Sequence, residues 1–325
     1  MTKALGLMSG GLDSTLAAMV LMRQGIEVTG IAFVTPFFGA EKARKAAAAI
    51  GQPLIIADIS AIHLQMLKHP HHGYGRFMNP CIDCHAMMFR LAGEKMQEDG
   101  YDFLFSGEVL GQRPMSQNST ALKAVAKHSG FLEQILRPLS ARRLAPTAME
   151  QNGLVDRNQL LDIQGRSRKP QQALAREWGL KELPAVAGGC LLTERSFSNQ
   201  LRDLFSHHGS ADVSDVELLN IGRQFRLKPT AKLVVGRNQE DNQALEGFLT
   251  ESRLLLRCQD FSGPLGVLCG DTDQTTQEQA AAIVASYSQG KDEPLVKVLC
   301  FAHNSSSSLT VPPMPREESI KMLLR

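Results

Sequence analysis

The sequence predicts an α/β protein: a doubly wound parallel sheet over residues 1–205, followed by a smaller α+β unit over 206–325. Three observations carry that expectation. Over roughly the first 185 residues, short apolar runs alternate with longer stretches of helix formers, as in a parallel sheet covered on both faces. Near residue 205 this texture gives way to closely spaced strand-like runs. The length of 325 residues suits two cores better than one.

Residues 4–8 form a short apolar run that meets a Gly-rich turn, and 14–24 hold good helix formers that stop at Gly25. Residues 28–34 are apolar and β-branched. Residues 40–50 are Ala-rich with Glu41, Lys42, Arg44 and Lys45, and Gly51 follows as a C-terminal cap. Residues 54–59 read as a strand, 85–98 as a helix, 103–105 as a strand, 119–128 as a helix and 135–139 as a strand. In the second unit 212–223 read as helix, and 232–235, 253–257, 265–269 and 296–301 as strands. A helix is expected at 276–287, a four-serine loop at 305–308, and a tail punctuated by Pro312, Pro313 and Pro315.

Composition narrows the class. Apolar residues make up 43% and charged residues 21%, which excludes a disordered, collagenous or coiled-coil chain. The longest clean apolar run, residues 16–22, falls far short of the about 20 residues that span a bilayer. Lys3 precedes an apolar stretch too short for a secretory signal. The expected location is the cytoplasm, with no membrane partner. Six cysteines make no disulfide scaffold, and in a reducing compartment a paired motif points to metal or catalysis. The net charge of +2 is uninformative, but basic residues outnumber acidic ones between Arg137 and Lys181.

Ser9-Gly10-Gly11-Leu12-Asp13-Ser14 stands between the first strand and the first helix. Adjacent glycines let backbone amides fold round an anion, the serines add hydroxyls, and the helix dipole aims at the same point. Asp13 would repel that anion unless Mg²⁺ bridges it to phosphate oxygens. No Gly-Lys-Ser/Thr follows, so the turn is not a Walker loop. This stretch resembles the PP-loop, SGGxDS, of the ATP pyrophosphatases. The resemblance implies that Ser9, Gly10, Gly11 and Ser14 hold the pyrophosphate part of ATP, and that adenine lies by the first two strands near Phe33 and Val34. Members cleave ATP between the α and β phosphates and place AMP on a substrate oxygen.

Asn79-Pro80-Cys81-Ile82-Asp83-Cys84-His85 has several readings. It contains the haem-attachment pattern, which requires export; it offers zinc up to three ligands, Cys81, Cys84 and His85; it is also compatible with two core cysteines. A fourth reading is sulfur chemistry, because the stretch resembles the NPCxxC segment of PP-loop tRNA thiolases. Cys190, in Gly188-Gly189-Cys190, is then the third cysteine of the site. In such enzymes sulfur travels as a cysteine persulfide resolved by a second cysteine, or a 4Fe–4S cluster held by three cysteines keeps one iron open for sulfide. The separate third cysteine favours the cluster, on Cys81, Cys84 and Cys190. Cys258, Cys269 and Cys300 sit in apolar strand-like runs and read as core.

Ser106-Gly107-Glu108-Val109-Leu110-Gly111-Gln112 is similar to a strand-end segment of the 4-thiouridine synthases, and Arg137-Pro138-Leu139 occupies the place of their RPL segment. The resemblance implies that Gly107 lets the nucleotide approach and that Glu108 and Gln112 position Mg²⁺ or uridine; a plain strand–loop–helix junction is the alternative. Arg166, Arg168 and Lys169 precede a Pro-initiated helix and read as RNA-backbone contacts or as a solvated loop. Val234-Val235-Gly236-Arg237-Asn238, with Asn242 beyond, resembles the signature of the NFACT RNA-binding module. Arg237, Asn238 and Asn242 would then touch RNA.

The expectation is an ATP-dependent tRNA uridine sulfurtransferase using Mg²⁺ and a 4Fe–4S cluster. Sulfur would come from free sulfide or from a cysteine desulfurase or sulfur carrier. Because the chain opens directly on the PP-loop strand, the second unit is expected to stand in for the N-terminal RNA-binding domain of the 4-thiouridine synthases. A PP-loop ligase acting on a small molecule and a non-catalytic RNA-binding factor are the alternatives.

Overall fold

A computed structural model describes residues 1–180 and 189–325; Gly188 of the expected Gly188-Gly189-Cys190 turn lies outside them. Contacts divide the chain into Met1–Leu191 and Leu192–Arg325. In the first unit the chain alternates β1 (Lys3–Leu7), α1 (Leu12–Met22), β2 (Glu27–Val34), α2 (Glu41–Ala49), β3 (Leu54–Asp58) and α3 (Ser60–Lys68). It continues with α4 (Cys81–Asp99), β4 (Phe103–Ser106), α5 (Ser119–Ser129), β5 (Ile135–Leu136), the one-turn α6 (Ala148–Gln151) and α7 (Lys169–Glu177). The five strands form a parallel sheet of order β3-β2-β1-β4-β5.

Alternation along β1 explains the two-sided burial. Ala4 faces a core built with Leu12, Leu16 and Leu21 of α1 and Ala175 of α7. Leu5 faces the opposite core, with Phe89, Ala92 and Met96 of α4 and Val125 of α5. Each fully buried Leu or Phe of this kind contributes about 1.5–3 kcal/mol. Helix α2 lies over Met8 and Ala32 through Ala43, Ala46 and Ala47, small side chains that bring its backbone close to the sheet. The strand order reverses between β1 and β4, so the crevice beyond their C-terminal ends is where such sheets take ligands.

The second unit contains α8 (Arg195–His207), α9 (Val213–Glu217), β6 (Arg223–Lys228), β7 (Ala231–Val235), α10 (Gln239–Glu246) and β8 (Arg253–Cys258). It ends with β9 (Gly266–Gly270), α11 (Gln274–Ser286), β10 (Val296–Ala302), β11 (Ser305–Val311) and α12 (Arg316–Met322). Its sheet is antiparallel, of order β11-β10-β8-β9-β7-β6. Helix α11 covers one face through Ala280, Ala281, Ile283 and Val284; Leu245 of α10 joins Val234, Leu255 and Val267 in a core on the other.

Several local expectations are corrected. The boundary expected at 205 falls inside α8, which belongs with the second unit. Helix α4 starts at Cys81 rather than 85, so the cysteine pair lies in its first turn. Strand β5 has two residues, ending before Arg137-Pro138, because proline cannot donate to the ladder. The expected helix at 212–223 is α9 plus a 3-10 turn; Gly222, at φ +66°, then turns the chain into β6. The expected four-serine loop is edge strand β11, paired in register with β10 from Ser305↔Ala302 to Val311↔Val296. An exposed edge strand accepts serines because its pairing is supplied by the partner's backbone. Among the described residues, no helix is long and apolar enough to cross a membrane.

Candidate active site

The turn after β1 is built by steric necessity. Gly10 has φ +73°, and a Cβ there would lie 2.2 Å from the carbonyl carbon of Lys42 in α2. Gly11 is the N-cap of α1 and, lacking a side chain, makes no side-chain cap bond. The Ser14 and Thr15 hydroxyls donate to the Gly11 carbonyl at 3.0 Å, and Ser9 Oγ lies 3.2 Å from Ser14 Oγ. Ser14 is therefore buried and spent on holding the loop, while Ser9 is exposed. What remains at the head of α1 is backbone N–H and positive dipole, the elements of an anion site.

Asp13 sits in that first turn. Its Oδ2 accepts the Gln112 side-chain amide at 2.7 Å and lies 3.8 Å from the Arg168 guanidinium. Its Oδ1 is buried with no hydrogen-bond partner. Gln112 is in turn held through its Oε1 by Gln171 of α7 at 2.8 Å, and both glutamines are buried. Gly107 makes this approach possible: a Cβ there would stand 2.4 Å from the Asp13 carbonyl carbon and the Ser14 nitrogen. Of the predicted residues, Asp13, Gly10, Gly11, Gly107 and Gln112 thus come together. Arg168, expected on RNA, joins them, whereas Arg166 and Lys169 stay exposed. Phe33, expected beside adenine, is 7% exposed and fills the α4–α5 core with Leu5 and Phe89.

Cys81 and Cys190 both lie within electrostatic reach of Cys84. Cys81 and Cys84, one turn apart, share a face of α4; Asn79 donates to Cys81 Sγ at 3.3 Å. Burial pushes the Cys84 thiol well above the ordinary thiol range, and neighbouring Cys190, Cys81 and Asp83 push it further the same way. A cation beside Cys84 would offset both the burial and the neighbouring negative charge that oppose its ionisation. The amide of Leu191, next to Cys190, donates to the Phe37 carbonyl, and a Cβ at Gly189 would lie 3.6 Å from Lys42 Nζ. Lys42 therefore stands between the Gly10 turn and the Cys190 turn.

Two histidines flank the thiols. His63 of α3 is fully buried, places Nε2 3.4 Å from Cys84 Sγ, and is held at about 4 by burial, so it is neutral at pH 7. His85 Nδ1 lies 2.8 Å from Glu108 Oε1. Glu108, also bonded by Arg137 at 2.9 Å and by Ser106, is fully committed and not open to Mg²⁺ or uridine. Sequence reasoning missed Gln171 and His63; each lies on an ordinary helix, and only the tertiary contact marks it.

Glu108 also gives a signed pH dependence. Burial works against its charge, but the Arg137 guanidinium and the His85 hydrogen bond hold the carboxyl down at about 2, against an ordinary 4.5. Its stabilising contribution is fully present above 4.5 and is lost as pH falls from there to about 2. Glu108→Gln should cost about 3–5 kcal/mol at pH 7 by stranding Arg137. The deficit in urea denaturation should shrink as pH drops through that window; a deficit constant down to pH 2 would contradict the ion pair.

In the second unit the Gly236-Arg237-Asn238 turn is locked by its own side chains. Arg237 bonds Asp241 through Nε at 2.8 Å, Asn238 caps α10 by accepting the Asp241 amide, and Asn242 Oδ1 accepts the Leu265 amide at 3.0 Å. A Cβ at Gly236 would meet Asn242 Oδ1 at 2.1 Å. The signature thus shapes a strand-to-helix turn, with the Arg237 side chain half exposed beside it.

Comparison with known proteins agrees with this division. Residues 1–143 match the family model described as thiamine biosynthesis protein (ThiI), and residues 222–322 match the NFACT protein RNA binding domain. A tRNA-specific 2-thiouridylase of Dehalococcoides mccartyi is 36% identical over 24% of this chain and 26% of its own length. A second, from Pelobacter propionicus, is 27% identical over 50% of this chain and 49% of its own. A probable tRNA sulfurtransferase of a Thermoanaerobacter species is 30% identical over 34% of this chain and 30% of its own. The chain spans less than half the length of each of these relatives. The N-terminal part of the chain is thus similar to the ThiI family model and the C-terminal part to the model of the NFACT RNA binding domain.

Proposed function

We propose that the chain is an ATP-dependent tRNA sulfurtransferase that replaces a uracil carbonyl oxygen with sulfur. The observation that carries this reading is the nearness of two chemistries, the Asp13 anion turn and the cysteine group, with Lys42 next to Gly10 of the one and Gly189 of the other. A small-molecule ligase needs only the first, and an RNA-binding factor needs neither.

A uracil oxygen is a poor leaving group. Attack of that oxygen on the α-phosphorus forms an O–P bond, breaks the bond to the β-phosphate oxygen and releases pyrophosphate. The α1 amides, Arg168 and Lys42 are the positive groups that would hold the departing charge. Asp13 Oδ1, buried and unbonded, fits a cation ligand, so Mg²⁺ would be held there and would neutralise phosphate charge. Sulfur delivered at the cysteine group then forms a bond to the ring carbon, and AMP departs with the original oxygen. Most of the advantage is positional: adenylated base and sulfur must meet at about 3–3.5 Å, away from water.

Cys81, Cys84 and Cys190 fit the ligand set of a 4Fe–4S cluster with one open iron, which when bound would supply a place for inorganic sulfide. A free Cys84 thiol with so raised a pKa is a poor persulfide carrier, whereas a coordinated one is ionised by its metal. The sulfur donor would be free sulfide or a desulfurase-fed carrier. Arg166 and Lys169, exposed at the head of α7, and the second unit, with Arg237, Asn238 and Asn242, would contact tRNA.

Asp13→Asn should lower pyrophosphate release by about 100-fold or more while RNA binding persists; unchanged ATP turnover would exclude the nucleotide assignment. Cys190→Ala should keep pyrophosphate release and lose thiolated product, and a variant that still thiolates would remove Cys190 from the site. Arg168→Gln should impair ATP use with little change in RNA affinity. Arg166→Gln should instead reduce the salt dependence of RNA binding by about one phosphate contact, a slope change of roughly 0.7–0.9. The reverse pattern would return Arg168 to the RNA surface.

A further inference from the structure

His69-Pro70-His71-His72-Gly73, between α3 and α4, lies outside the machinery described above. His71 and His72 are exposed, and His128, in the last turn of α5, meets them from across the fold. The ring centroids are 4.8, 5.2 and 4.7 Å apart, and one nitrogen of each ring lies within 4.8 Å of the other two. Exposed imidazoles gain little from edge contacts with one another, so packing does not account for the cluster.

Asp83 supplies the second observation. This buried carboxylate places Oδ1 2.6 Å from His72 Nδ1 and accepts the His72 backbone N–H on Oδ2 at 2.9 Å. A carboxylate only accepts, so His72 Nδ1 carries the proton and Nε2 is left with its lone pair. A carboxylate that fixes the tautomer and ring of a ligating histidine is the usual outer shell of a metal site. A groove of about 370 Å³ lined by His71, His128, Asp83 and Met87 leaves room for water as a fourth ligand.

We propose that His71, His72 and His128 bind a divalent transition cation, Zn²⁺ the expected occupant, with Asp83 as the group that positions His72. Imidazole nitrogen favours such ions over Mg²⁺ or Ca²⁺. With Zn–N bonds of about 2.0–2.1 Å, tetrahedral ligand nitrogens stand roughly 3.3 Å apart, which exposed side chains reach by small rotations. The cation joins the 69–73 loop to the end of α5. Because Asp83 sits between Cys81 and Cys84, it also steadies the turn that presents the thiols. The site stands on its own geometry and does not depend on the sulfurtransferase reading.

Co²⁺ added anaerobically to the purified full chain tests it, since cobalt on thiolates gives intense near-ultraviolet charge-transfer bands and cobalt on imidazole does not. The wild type should bind a Co²⁺ with nitrogen-type visible absorption that Zn²⁺ displaces. A His71→Ala/His128→Ala variant, its fold checked by circular dichroism, should lose that ion and keep any thiolate-type uptake. Asp83→Asn should weaken the histidine-type ion by about 10–100-fold. Absence of nitrogen-type binding in the wild type, or its persistence in the double variant, would overturn the proposal.

Discussion

The candidate site depends on how closely the ends of β1 and β4 approach. Gly107 is pressed against the backbone of Asp13 and Ser14 so tightly that a methyl group would overlap it. That contact places Gln112 on Asp13, and α7 then holds Gln112 through Gln171. The arrangement leaves one oxygen of Asp13 buried and unbonded, a cost of about 1–3 kcal/mol or more for a charged group unless a ligand supplies the partner. Gly10 plays the same part on the other side, letting the head of α2 close over the turn.

The thiol group follows from the same architecture. Helix α4 begins at the cysteine pair, and the chain beyond Gly189 returns Cys190 to it beside Lys42. The burial that raises the Cys84 thiol is an environment in which a metal-coordinated thiolate would be shielded from water. The Glu108–Arg137–His85 network lies beneath, anchoring the residue after Cys84 to the end of β4. The Gly10 turn and the cysteine turn are therefore braced by the same strand.

Legibility in the sequence divided along physical lines. Gly10, Gly11, Asp13 and the Cys81–Cys84 pair were readable because their constraints are local: a positive φ, a helix head, a one-turn spacing. Gly107 and Gln112 were readable only through resemblance, since their partners lie about a hundred residues away in the chain. Gln171 and His63 were not readable, because a buried polar contact with a residue well removed in the chain leaves no trace in periodicity. Arg168 and Arg166 differ in placement at the start of α7, one lying beside Asp13 and the other exposed. Strand β11 was missed because its serines carry no strand preference, and β10 alone supplies their pairing. Phe33 was misplaced because alternation along β2 sends it into the α4–α5 core.

The central claim is that adenylation and sulfur delivery meet on one uridine. It is tested most directly by a mass-spectrometric inventory of nucleosides in total tRNA from cells with and without this gene, in a background lacking a redundant thiolase. The account predicts loss of 4-thiouridine or of a 2-thiouridine derivative, and the nucleoside lost names the atom modified. An unchanged inventory would contradict it and point to a PP-loop ligase acting on a small molecule.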